Sequence, residues 1–212
     1  ALVQQQAEES IESPETHTNQ TNYFLLALEE AGVVADDKKI LHLLEQAHHL
    51  FGVEATMEQI IVPFLRRIGE LWCEKKWGEY QEAVSSQTIR DFLANLRRHF
   101  YIPENAPLVV GSCLPNERHE IPMQILLVQC MLRGYRTLML GPAPAPTAIE
   151  STVSLASPAI VLLTASTHAV WEDNGEALRA LDAFAKTMPH IKFFIGGAGV
   201  KNIVQQFELE AI

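Results

Sequence analysis

Pro107-Leu-Val-Val-Gly-Ser-Cys113, then Glu117-Arg118-His119-Glu120-Ile121-Pro122, then Met123-Gln-Ile-Leu-Leu-Val-Gln-Cys-Met-Leu132 is the stretch on which the fold turns. An apolar run rich in β-branched residues reads as a buried strand, and the longer run that begins near Pro122 reads as a helix. His119 therefore lies in a loop where a strand hands over to a helix, the rim at which open α/β sheets bind ligands. Glu117, two residues earlier, is a carboxylate able to hold one imidazole nitrogen and leave the other free for a metal.

Working outward from that loop, the same alternation repeats to the end of the chain. Strands are expected at 107–113, 136–141, 158–165 and 191–196, and helices near 122–134, 147–156, 173–187 and 200–208. Because these strands are continuous apolar runs, they should be parallel and covered on both faces. The expected architecture is a doubly wound, flavodoxin-like α/β domain over 103–212. Its usual fifth strand is missing or barely begun at Leu209–Ile212.

Upstream of the linker Pro103-Glu-Asn-Ala-Pro107 the apolar residues recur at helical spacing, and caps and breakers divide four helices near 22–33, 37–51, 55–76 and 79–100. The third places Ile60, Ile61, Phe64, Leu65, Ile68, Leu71 and Trp72 on one face, with Pro63 expected to bend or loosen it. These predict an all-α four-helix bundle over 22–102, behind a polar linker at 1–21. The chain has 212 residues, 48% of them apolar, which is enough for two cores. Its formal charge of −10 and acidic leader argue against direct binding to nucleic acid or anionic membrane. No run approaches a membrane span or a secretion signal, and three scattered cysteines without a Cys-x-x-Cys pair fit a reducing cytoplasm. The start, which lacks Met, suggests a chain cut from something longer.

Three motifs fall together at carboxyl ends of strands. Glu117-x-His119-x-x-Pro122 is separated by 41 residues from Thr164-Ala165-Ser166, and Gly196-Gly197 closes the fourth strand. This order and spacing resemble the cobalamin-binding module of methionine synthase, corrinoid proteins and isomerases, whose pattern is Asp-x-His-x-x-Gly, then Ser-x-Leu or Ser-x-Thr, then Gly-Gly. The resemblance implies that His119 replaces dimethylbenzimidazole as lower axial ligand to cobalt, with the displaced nucleotide tail slotted into the α/β domain. Thr164 and Ser166 could line and hydrogen-bond that tail, and Gly196 and Gly197 could let it approach the backbone. Two positions depart from the pattern, Glu117 for Asp and Pro122 for Gly; the second puts the loop path around the corrin edge in question. Leu140-Gly-Pro-Ala-Pro-Ala-Pro146 also resembles a family turn and reads most simply as a rigid strand-to-helix connection.

In the helical half, Ile68-Gly69-Glu70-Leu71-Trp72 and the spacing Trp72-x9-Glu82 resemble the signature of cobalamin-dependent MerR-family regulators of the CarH and LitR type. That likeness covers about residues 22–208 and implies a helical cap over the upper corrin face, with Trp72 and Glu82 near the upper ligand. Cys73 and Ala83 stand where photosensitive members have histidines, which removes the expected ligand after illumination. Either Cys73, His42, His48 or His49 substitutes, or another cobalamin form or a second chromophore is bound.

The favoured expectation is a sensory module that responds to light or metabolism. It would hold cobalamin between cap and sheet and act as a homo-oligomer, reaching DNA only through a helix-turn-helix domain absent from this sequence. The alternative is a corrinoid methyl carrier of a methyltransferase system, and a third is a flavodoxin-like or receiver-like domain without cobalt. The chain is not expected to be an enzyme, because it has no nucleophile elbow, Walker loop, zincin motif or convincing acid/base carboxylate pair.

Overall fold

The computed structural model describes residues 14–145, 147–167, 175–200 and 209–212, with side chains from residue 18 onward. The described chain divides into a helical unit ending at Phe92 and an α/β unit beginning at Leu93.

The helical unit contains α1 (Pro14–Val33), α2 (Asp37–Ala55), α3 (Val62–Cys73) and the first part of α4 (Glu79–His99). Helix α1 begins eight residues before the expected start at 22, so part of the expected polar linker is helical; residues 1–13 lie outside the described residues. The turn between α1 and α2 has Ala35 at φ 52°, and Asp36 caps α2 by accepting from the Lys39 amide at 2.9 Å. Gly52 breaks the helical dihedrals of α2 with φ 77°, at the position where the sequence suggested a stop.

Pro63 has its effect one turn upstream. Lacking an N–H, it leaves the carbonyl four residues back without its helical donor, and its ring crowds that carbonyl. The chain widens there into a π turn (Thr56–Ile61), with the Val62 amide donating five residues back to Met57 O. The single helix expected over 55–76 is therefore a π turn followed by a shorter α-helix.

Burial follows the helical period. Ile40, Leu43, Leu44 and Ala47 of α2, Ile60 and Ile61 of the π turn, and Phe64, Ile68 and Leu71 of α3 belong to the buried core, with Leu28 of α1. Trp72 does not join it. One residue beyond buried Leu71, it is turned about 100° around the helix and is 52% exposed. The indole in the core is that of Trp77, packed so closely on Gly32 that a Cβ there would lie 2.2 Å from its ring.

In the α/β unit the strands β1 (Leu108–Cys113), β2 (Arg136–Gly141), β3 (Ile160–Thr164) and β4 (Lys192–Gly196) are all parallel, in the order β2-β1-β3-β4. Between them lie α5 (Ile121–Leu132), α6 (Ala148–Ala156) and α7 (Glu176–Lys186). Val109, Met123 and Leu127 form the core on the α5 face, with Ile160 and Leu162 packed against it. Val161, Leu163, Ile149, Val153, Leu178 and Leu181 form the core on the α6 and α7 face. The sheet is thus covered on both sides, as its continuous apolar strands predicted. Gly111 permits the α5 contact, since a Cβ there would meet Met123 Sδ at 2.6 Å.

Residues 209–212 form no strand. Asp182 Oδ1 accepts from the Glu210 and Ala211 amides at 3.1 and 2.8 Å and holds this segment on α7. The helix expected at 200–208 lies outside the described residues, except for Val200 at the end of a 3-10 turn.

Candidate functional site

Strand order reverses between β1 and β3, because the connection from β1 runs to β2 on one side and β3 returns on the other. The loops leaving these two strands diverge and frame the crevice in which such sheets bind ligands. The Leu114 amide donates to Thr164 O at 2.9 Å as the first loop leaves the sheet. A turn follows in which the Glu117 amide donates to Leu114 O at 3.0 Å. Asn116 takes φ 67°, a left-handed conformation that asparagine tolerates. The turn folds the Glu117 side chain inward, where it is fully buried.

Every hydrogen bond Glu117 makes through its carboxylate serves to organise the two loops. Its Oε1 accepts from the His119 amide at 2.8 Å and from the His119 ring Nδ1–H at 2.6 Å. Its Oε2 accepts from the amides of Ser166 at 2.6 Å and Thr167 at 3.0 Å, and from the Thr167 hydroxyl at 3.4 Å. Burial pushes this carboxyl upward, but the combined donors of His119, Thr167 and Ser166 outweigh it and hold it below the usual carboxylate range. An ionised carboxylate only accepts, so in the neutral form of the ring the proton belongs on Nδ1 and the lone pair on Nε2. The imidazole is 61% exposed, and Nε2 has no partner among the described residues.

The loop after β2 braces the same residue. Ala143 donates its amide to Glu117 O at 2.7 Å, in the proline-rich tract that the sequence suggested only as a rigid connection. Pro122 falls in the first turn of α5, where its missing N–H costs nothing.

Cys113 lies beneath His119. Its Sγ donates to His119 O and accepts from Thr164 Oγ1, both at 3.7 Å. Burial pushes the thiol up to about 11, so it remains protonated and able to donate at neutral pH.

The structure brings together Glu117, His119, Thr164 and Ser166. Thr164 is only 6% exposed and its hydroxyl proton is committed to Cys113, whereas Ser166 is half-buried and meets Glu117 through its amide. The two glycines differ. A Cβ on Gly197, at φ 112°, would lie 2.3 Å from Ala165 O, while a Cβ on Gly196 would meet open space. Gly197 is therefore required by close packing of its turn on the loop after β3, and Gly199 repeats the device against Thr167 O at 2.4 Å. Thr167, Ala143, Cys113 and Gly199 were absent from the sequence-derived site. For Gly199 the run Gly196-Gly197-Ala-Gly199 offered a signal. The other three act through backbone or short-range contacts that spacing does not encode.

Within the helical unit, Trp72 and Cys73 are exposed at the end of α3. Glu82 is half-buried in α4 and accepts from Ser86 Oγ at 3.0 Å. His42 is exposed, and His49 is exposed with Nδ1 bonded to Glu45 O at 2.7 Å. His48 is lowered by burial and by neighbouring His49, and its buried Nδ1 has no partner.

Among the described residues no group of three or more His, Cys, Asp and Glu could hold a metal ion. One oriented imidazole suits a metal whose other positions are already filled by a macrocycle. The open space at Gly196 and the orphaned Oε1 of Gln124, a residue 4% exposed in the first turn of α5, are further features compatible with a large polar cofactor.

Residues 26–97 match the family model described as the B12 binding domain. No curated protein matches the sequence. Among solved structures, the chain is similar to the monomethylamine corrinoid protein of Methanosarcina barkeri, at 15% identity and TM-score 0.63, over 87% of this chain and 88% of that one. It also resembles the methanol:cobalamin methyltransferase complex MtaBC of the same organism, at 16% identity and TM-score 0.44, covering 95% of this chain and 79% of that one. A cobalamin-binding protein from Desulfitobacterium hafniense DCB-2 matches at 18% identity and TM-score 0.43, over 88% and 90% of the two chains. The family match and the chemistry of the His119 loop support cobalamin as the cofactor.

Proposed function

We propose that this chain holds cobalamin in the base-off form through His119 Nε2, and that it serves as a non-catalytic corrinoid carrier in a methyl-transfer system. The observation that carries this reading is the 2.6 Å contact of His119 Nδ1 with the buried Glu117 carboxylate, on an imidazole that is 61% exposed. Bound cobalamin supplies a cobalt centre able to accept and release a methyl group. Glu117 fixes the ring plane of His119 and makes Nε2 a better donor. Ser166, Thr164, Gly196 and Gly197 border the space proposed for the nucleotide tail, with Gly196 leaving room and Gly197 setting the turn. The fold shared with a corrinoid protein at TM-score 0.63 supports the carrier reading, for which the partners are methyltransferases.

A sensory role remains the second reading, and Trp72 favours it. A tryptophan left 52% exposed at the end of α3, with Glu82 on α4, fits a helical unit that reads the upper face of the cofactor. Under that reading the chain forms a homo-oligomer whose contacts change with the cofactor, and it belongs to a MerR-type regulator that touches DNA through another domain.

The primary test uses hydroxocobalamin reduced to Co(II). Wild type labelled with 15N-histidine should show the two-line superhyperfine splitting of a 15N donor in its electron paramagnetic resonance spectrum, which the unlabelled base of the cofactor cannot give. His119→Ala should lose that splitting and bind about 10- to 100-fold more weakly. Equal affinity and an unchanged spectrum in the variant would exclude His119 as the ligand.

A further inference from the structure

The proposed ligand is held from below as well as from the side. Glu117 fixes the ring and amide of His119, but the His119 carbonyl faces another group, the thiol of Cys113 at 3.7 Å. That thiol is itself approached by the Thr164 hydroxyl at 3.7 Å. Cys113 is fully buried at the end of β1, and Thr164 is its register partner at the end of β3. A short chain of hydrogen bonds thus runs from Thr164 Oγ1–H to Cys113 Sγ, and from Cys113 Sγ–H to His119 O. The His119 carbonyl can only accept, so the thiol must donate to it and the Thr164 hydroxyl must donate to the thiol.

We infer that Cys113 and Thr164 are positioning residues that set the height of His119 above the sheet by tethering its carbonyl to the ends of β1 and β3. The inference rests on His119 being the cobalt ligand. It changes the part assigned to Thr164, whose hydroxyl proton serves the ligand loop and not the nucleotide tail. It also gives a fully buried thiol a structural purpose. An exposed imidazole on a loop owes its position to its backbone anchors, and small displacements of a ligand atom weaken coordination steeply. With Glu117 holding the ring and Cys113 the carbonyl, the residue is pinned at both ends.

The test compares wild type, Cys113→Ala, Cys113→Ser, Thr164→Val and the double variant Cys113→Ala with Thr164→Val. Each is labelled with 15N-histidine, so that nitrogen splitting from histidine is distinct from that of the cofactor's own base, then loaded with hydroxocobalamin for affinity and reduced to Co(II) for electron paramagnetic resonance, with thermal unfolding of the cofactor-free protein as the folding control. Cys113→Ala and Thr164→Val should each weaken binding by about two- to tenfold, the range of one hydrogen bond. Both should reduce the fraction of cobalt with nitrogen splitting. Cys113→Ser, which keeps a donor and an acceptor, should restore both readouts, and the double variant should be no worse than the poorer single variant.

Full nitrogen splitting and wild-type affinity in Cys113→Ala would overturn the inference. So would a Cys113→Ser as defective as Cys113→Ala, or additive losses in the double variant. If the wild type itself shows no nitrogen splitting, the ligand assignment to His119 fails first and this inference falls with it. If the wild type shows splitting and the variants are unchanged, only the tether is wrong.

Discussion

Glu117 is the residue through which the candidate site is organised, because one buried carboxylate satisfies donors from its own loop and from the loop after β3. Glu117→Gln keeps its size but places an amide donor against either His119 or the Ser166 and Thr167 amides. The expected cost is about 1–3 kcal/mol of folding stability, measured by denaturant unfolding of the cofactor-free protein. The pH dependence has a definite sign. The folded carboxyl lies below its unfolded value of about 4.3, so its stabilisation is complete above that value. It is lost as pH falls below it and through the lowered folded value. Unfolding curves of wild type should therefore steepen in their fall below about pH 4, and those of Glu117→Gln should lack that component. A variant with the same acid profile as wild type would show that the carboxylate is not the linked group.

At the scale of elements, the turn after β4 separates packing from ligand space. Gly197→Ala forces φ 112° on a residue with a Cβ and drives that Cβ into Ala165 O, so it should destabilise the cofactor-free protein by about 2 kcal/mol or more. Gly196→Ala meets open space and should leave cofactor-free stability within about 0.5 kcal/mol. If Gly196 admits the nucleotide tail, the same substitution should weaken binding of cobalamin more than that of cobinamide, which lacks the tail. Equal losses for the two corrinoids would remove Gly196 from the tail site. The π turn before Pro63 offers a second contrast. Pro63→Ala restores a donor for the carbonyl four residues back, and should gain helix signal in circular dichroism without loss of the α3 core.

At the scale of the whole molecule, the two readings of function differ in what binding or light does to assembly. A carrier should keep one mass by light scattering, whether loaded with methylcobalamin or adenosylcobalamin and whether dark or illuminated. A sensor should change mass with one of these treatments, and Trp72→Ala should blunt that change while leaving the Co(II) nitrogen splitting intact. No helix among the described residues is long and apolar enough to cross a membrane.

Periodicity sufficed for the order of helices and strands, because burial writes a 3.6-residue or continuous apolar pattern directly into residue choice. Strand ends, the His119 loop and the Gly196-Gly197 turn were legible for the same reason: each needs a particular side chain or none at a fixed place along the chain. Which tryptophan is core was not legible, since Trp72 ends an apolar helical face while Trp77 follows the charged Glu74-Lys75-Lys76, and only the packing of Trp77 on Gly32 marks it as the buried one. Nor was the reach of Glu117 to Ser166 and Thr167, the brace from Ala143, or the tether of His119 by Cys113. Those contacts join residues up to 50 positions apart through backbone amides and short polar atoms, which nearly any sequence supplies. The sequence by itself determined which elements form and which imidazole stands at the sheet's edge. Only the tertiary structure decided what holds that imidazole, because hydrogen-bond geometry exists only once β1 and β3 lie side by side.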